Sequence, residues 1–165
     1  MIQNKHIIKS LPLLASALGR KYGVQVHIGG DAAYTNGKSI YLPTLPSDCS
    51  EVHVGLIRGY IDHESSHLRT TDFECLQRAR LSPLEKHIWN ILEDWLVEHK
   101  LTAVFPGCRQ NIDWLLRHIF LDKQGAGEES VSGQPEELSL KSDATQLLNW
   151  LLLSVRAWDI TELEP

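Results

Sequence analysis

Apolar residues first recur at helical spacing between Lys5 and Lys21, where Ile7, Ile8, Leu11, Leu13, Leu14, Ala17 and Leu18 predict a helix. Pro12 falls inside that pattern, and it is expected either to kink the early part or to sit in the first turn. After Gly19 the period drops to two, and Val24-Gln25-Val26-His27-Ile28 alternates as a half-buried strand does. Asn36-Gly37 is a turn dipeptide, and Ser39-Ile40-Tyr41-Leu42-Pro43 reads as a second strand closed by proline. The expected product is a small antiparallel sheet that covers one side of a core.

From Glu51 the period is helical again. Ser50 is a good N-cap, and the helix is expected to run to about Arg69 or Thr70, with Val54, Ile57, Tyr60, His63 and His67 on one side. Ser82-Pro83 with Glu85 is a capping box for the next helix, which is apolar over a wide face and stops before Pro106-Gly107. Asn111 to Leu121 predicts another amphipathic helix, and Ala144 to Trp158 a last, strongly apolar one. Between them, Asp122 to Asp143 carries six acidic and two basic side chains, three glycines and little that is apolar. That composition predicts a flexible loop or linker over 122–143. There is no internal repeat. The pattern as a whole predicts an α+β fold, mainly helical, with a small sheet beside the helix that starts at Ser50, in one domain over residues 1–165.

Charge and composition narrow the function classes. A net charge of −5 and a pI near 5.9 leave no basic footprint, which argues against nucleic acid as a partner. No apolar run approaches the roughly 18 residues of a membrane span, and Met1 to Ser10 lacks the layout of a secretory signal. Cys49, Cys75 and Cys108 are an odd number without metal or redox spacing, so the expectation is a reduced, cytoplasmic protein.

The chemistry is concentrated in His63-Glu64-Ser65-Ser66-His67, an HExxH motif on a helix already predicted from its period. Histidines at i and i+4 point two imidazoles at one place, which is the geometry zinc needs. Glu64 then stands beside the metal, where its carboxylate can take a proton from an activated water. A tetrahedral site needs one more protein ligand, and the next helix reads Asn90-Ile91-Leu92-Glu93-Asp94-Trp95-Leu96-Val97-Glu98. Carboxylates among tryptophan and aliphatic residues are costly unless they face water, pair or bind a cation. Glu93 is the first choice for third ligand. Asp94, on one stripe with His87, Asn90 and Glu98, is the competitor, and helical phase alone does not separate the two. The carboxylate that does not bind metal is expected to orient a ligand histidine.

These residues resemble two known groups. HExxH followed on the next helix by a glutamate resembles the gluzincin metallopeptidases, and residues 33–43 look like the strand-turn-strand that precedes the zinc helix in small members. More narrowly, Arg58 to Glu64, Thr71-Asp72-Phe73 and Asn90 to Glu98 are similar to the N-terminal region of cobaltochelatase T-subunit-like proteins of bacteria, phages and mobile elements. The resemblance spans roughly residues 24 to 107 and has one departure, Leu96 where relatives commonly show arginine. It implies a minimal zincin-like domain that hydrolyses peptide bonds, with zinc on His63, His67 and Glu93, Glu64 as general base, and peptide or protein as substrate. The strand from Ser39 to Leu42 is expected to receive that substrate by backbone pairing. The alternative implied by the same relatives is a catalytically silent zinc-binding or interaction module. It would work with a von Willebrand factor A domain and an AAA+ ATPase of the chelatase or MoxR type. His87, His99, His118, Tyr34, Tyr41 and Tyr60 are weaker candidates, and Gly29-Gly30 is too short for a phosphate-cradling loop.

Overall fold

The computed structural model describes residues 2–44, 50–122 and 143–164. The expected linker at 122–143 therefore lies, but for its two end residues, outside the described part. Helix α1 (Ile2–Leu18) is followed by strands β1 (Gln25–Ile28), β2 (Tyr34–Thr35) and β3 (Ser39–Leu42). Then come α2 (Glu51–Thr70), α3 (Phe73–Ala79), α4 (Pro83–Val104), α5 (Pro106–Arg117) and α6 (Asp143–Arg156). A π-helical turn, His118–Asp122, prolongs α5, and a 3-10 turn, Thr161–Leu163, follows α6. The fold is α+β and mainly helical.

Local signals account for most helix ends. Ser50 Oγ accepts from the His53 N–H at the start of α2, and Ser82 and Glu85 form the reciprocal capping box of α4. Helix α1 runs straight through Pro12, so the Ile8 carbonyl lacks its usual helical donor, and it stops where Arg20 turns left-handed at φ 51°. Helix α5 begins five residues earlier than its apolar pattern, because Pro106 fits a first helical position. Helix α3 has no apolar periodicity to announce it. It is seven residues long, and its start is fixed by Asp72, whose side chain accepts from the Cys75 N–H.

The sheet corrects the expected topology. Its order is β1-β3-β2, with β1 parallel to β3 (Gln25 opposite Ser39) and β2 antiparallel to it. The chain reverses twice between β1 and β3, once through Gly29-Gly30 and once at Asn36-Gly37, and two reversals restore the direction. Gly37 needs its left-handed φ of 82° for the second. As the central strand, β3 already pairs on both sides, so Ser39–Leu42 cannot take a substrate strand as the sequence suggested. Among the described residues the free edges belong to β1 and β2.

Ile40 and Leu42 of β3 are fully buried against Leu11 and Ala15 of α1 and Ile57, Ile61 and Leu68 of α2. A second apolar cluster joins Leu101 of α4, Cys108, Ile112 and Leu116 of α5, and Ile160 and Leu163 near the C-terminal end. Helix α2 lies between the two. Its contact with α5 is close because Gly55 and Gly59 present bare backbone: a Cβ on Gly59 would meet Leu115 Cβ at 2.6 Å.

Candidate metal centre

Two helices build the site. From α2 come His63, Glu64 and His67, and from α4 come Asp94 and Glu98, with Arg156 added from the end of α6. The helical side expected to carry Ile57, His63 and His67 together is split: Ile57 and Ile61 turn to the sheet, while the two histidines turn to α4. The imidazoles stand edge to face, 5.0 Å between centroids, and His67 Nε2 lies 3.2 Å from Asp94 Oδ1. One ligand atom each from His63, His67 and Asp94 falls within 4.8 Å of the others.

Each remaining carboxylate has a definite place. Glu98 Oε1 is 2.7 Å from His63 Nδ1, and Glu98 Oε2 accepts from Arg156 Nη1. Arg156 Nη2 also reaches Asp94 Oδ2 at 3.7 Å, and Asn90 Nδ2 donates to the same oxygen at 3.2 Å. Glu93, the sequence's first choice for third ligand, is elsewhere. Its Oε1 accepts from Thr71 Oγ1 at 2.8 Å, so the carboxylate gathered with the two histidines is that of Asp94. The cause is side-chain direction: adjacent helical residues diverge by about 100°, and only one of the pair can face the seam.

Burial and charge set the protonation of the seam. Burial alone would depress His63, but the hydrogen bond and charge of Glu98, with Asp94 and Glu64 behind, push it up to about 9. Burial would raise Glu98, yet His63 and Arg156 hold it down at about 2. Glu64 is 4 % exposed, and burial raises it against the opposing pull of His63 and His67. That places a carboxylate of increased basicity beside the histidines.

The donor set suits a divalent transition metal: two neutral imidazoles and one carboxylate are what zinc accepts, and three protein ligands leave a position open. His63 Nδ1 is engaged by Glu98, which leaves Nε2 as the nitrogen for a metal. On one side of the trio opens a cleft of about 550 Å³, walled by Leu115, Leu116, Ile119, Phe120, Leu148 and Leu152. A second arm passes Tyr34, Thr35, Phe73, Leu76 and Trp89, and His63, Glu64 and Asp94 line both arms. The edge strand beside the site is thus β2, not β3. Sequence reasoning missed Arg156 altogether, since no motif marks it. Of the weaker candidates, His99 bonds to Trp95 O and Asp159, apart from the trio, Tyr34 stacks on Tyr41 and lines the second arm, and His87 and Tyr60 line the larger one.

Among the described residues, no helix is long and apolar enough to cross a membrane. No curated protein and no solved structure matches the chain. One family model does, over residues 8–143, a span that includes His63, Glu64, His67, Asp94 and Glu98 and stops short of Arg156. By that match the chain belongs to the family of the cobalamin biosynthesis protein CobT.

Proposed function

We propose that the chain is a metal-binding module of a chelatase-type assembly, holding one zinc ion on His63, His67 and Asp94. The observation that carries this is the convergence of those three donors at the seam of α2 and α4. Membership of a family named for cobalamin biosynthesis supports the setting, in which the module works beside an AAA+ ATPase of the chelatase or MoxR type and a von Willebrand factor A domain. Cobalt(II) is compatible with the same donors. If it is the ion bound, the metal is cargo rather than resident. Elemental analysis and competitive titration of zinc against cobalt test the proposal, with His63→Ala and His67→Ala as controls. About one zinc per chain is expected, with none in either variant and a large loss in Asp94→Asn. Equal zinc in all four proteins would defeat it.

A second reading, zinc-dependent hydrolysis of a peptide bond, is favoured by Glu64. A silent site has no use for a buried, basic carboxylate beside the ligands. A bound zinc would supply Lewis acidity. Glu64 would take a proton from the attacking water and pass it to the departing amine, and the apolar arms of the cleft would exclude bulk water. Digestion of a peptide library by wild type and Glu64→Gln, both metal-loaded, separates the two readings. Cleavage by wild type alone selects the hydrolase. Cleavage by neither, with zinc retained by both, selects the module.

A further inference from the structure

Thr71 grips His67 twice. As the residue that closes α2, it donates its backbone N–H to the His67 carbonyl at 2.9 Å. Its side-chain Oγ1 lies 3.0 Å from His67 Nδ1 and, on the other side, donates to Glu93 Oε1 at 2.8 Å. A hydroxyl has one proton to give, and a carboxylate can only accept. With that proton committed to Glu93, the Thr71 oxygen faces His67 with a lone pair, so His67 Nδ1 must carry the hydrogen. His67 Nε2 is then the nitrogen that faces Asp94.

We propose that Thr71 and Glu93 form a hydrogen-bond relay that fixes the tautomer and ring orientation of His67, which makes both of them positioning residues of the metal centre. The proposal rests on the metal-binding reading above. It gives Glu93 a different task from the one the sequence suggested, and gives Thr71 a task that capping does not require. The cap uses only the backbone N–H, which nearly any residue supplies. The two ligand histidines are thus supported unequally. His63 donates straight to a carboxylate that an arginine also holds, whereas His67 reaches its carboxylate through a hydroxyl.

The test compares zinc affinity, by competition with a chelator, in Thr71→Val, Thr71→Ser, Glu93→Leu, Glu93→Gln and the Thr71→Val/Glu93→Leu pair. Valine matches threonine in shape and keeps the cap, so a loss of about 10- to 100-fold there reports the hydroxyl. Thr71→Ser and Glu93→Gln should stay near wild type, because the hydroxyl and an accepting oxygen remain. The double variant should be no worse than the worse single one, as members of one relay are coupled. Wild-type affinity in Thr71→Val overturns the relay, and so does a site emptied by Glu93→Gln, which would make Glu93 a ligand. Nitrogen-15 spectra of the metal-free protein give a readout independent of zinc. They should show the proton on His67 Nδ1, and a bare Nδ1 overturns the relay. If wild type binds no zinc while Nδ1 is protonated, the metal-binding reading falls and the relay stands as the device that orients His67.

Discussion

On the side of α2 that meets the sheet, Ile57, Ile61 and Leu68 disappear into an apolar cluster with Ile40 and Leu42. On the side that meets α4, Glu64, His67, Glu98 and Arg156 are each at most 8 % exposed, and His63 pairs with Glu98, His67 with Asp94 and Arg156 with Glu98. Equal burial is thus reached by opposite means. Apolar burial is favourable wherever the shapes fit. Charges taken out of water hold together only while each keeps its partner, and an apolar substitute of the same shape is often as stable or more so. The charged flank is therefore costly as architecture.

The largest test of that contrast is to remove one partner. Arg156→Met takes the guanidinium from both Glu98 and Asp94 and leaves Glu98 only His63, and unfolding free energy should fall by about 3–5 kcal/mol in urea titrations of the metal-free protein. Replacing His63, Glu98 and Arg156 together by apolar residues should recover much of that loss while abolishing metal binding. If the triple variant is as unstable as the single one, the seam is architecture after all.

The apolar flank should answer differently. Ile61 is wholly buried, so Ile61→Ala should lose about 2–5 kcal/mol, while the molecules that remain folded bind zinc as wild type does. Gly59→Ala is a smaller disturbance of the third side of α2, where the new Cβ meets Leu115 Cβ at 2.6 Å and α5 must give way. About 1–3 kcal/mol is expected from such overpacking. Gly55→Ala should cost less, because the ring it meets, Trp114, is 36 % exposed and has room to swing.

The same contrast explains what the sequence made legible. Helix boundaries written in local chemistry, such as Ser50 before α2 or the Ser82–Glu85 box, could be read directly. So could the HExxH pair, because both histidines lie on one helix. Features that depend on distant partners could not. The two residues of β2 are too few to show a period, and the resemblance of residues 33–43 to a strand-turn-strand, which the structure bears out, did not reveal that β1 and β3 are parallel. That Asp94 rather than Glu93 is gathered with the two histidines depends on how α4 is rotated against α2, and Thr71 bonds Glu93 across 22 positions. Arg156 reaches Glu98 across 58 positions, from an element whose pattern announces only apolar packing.

The last test is one of pH, and it isolates a single contact of the charged flank. Glu98 is held near 2 against its ordinary 4.5, so its contribution to stability is complete above pH 4.5 and fades as pH falls through 2. His63 is raised to about 9 from 6.5, so the same contact is complete below pH 6.5 and fades as pH rises through 9. Metal-free protein should therefore owe most to this pair between pH 4.5 and 6.5 and lose part of its stability on either side. Thermal melts carried beyond that window on both sides, down through pH 2 and up through pH 9, in wild type and Glu98→Gln read it directly, since the amide cannot hold the His63 proton and the alkaline decline should flatten. Zinc should flatten the same limb in wild type, because the nitrogen that binds metal carries no proton at any pH at which it binds. An alkaline decline that persists in Glu98→Gln would place its origin in another group and remove His63 from the account.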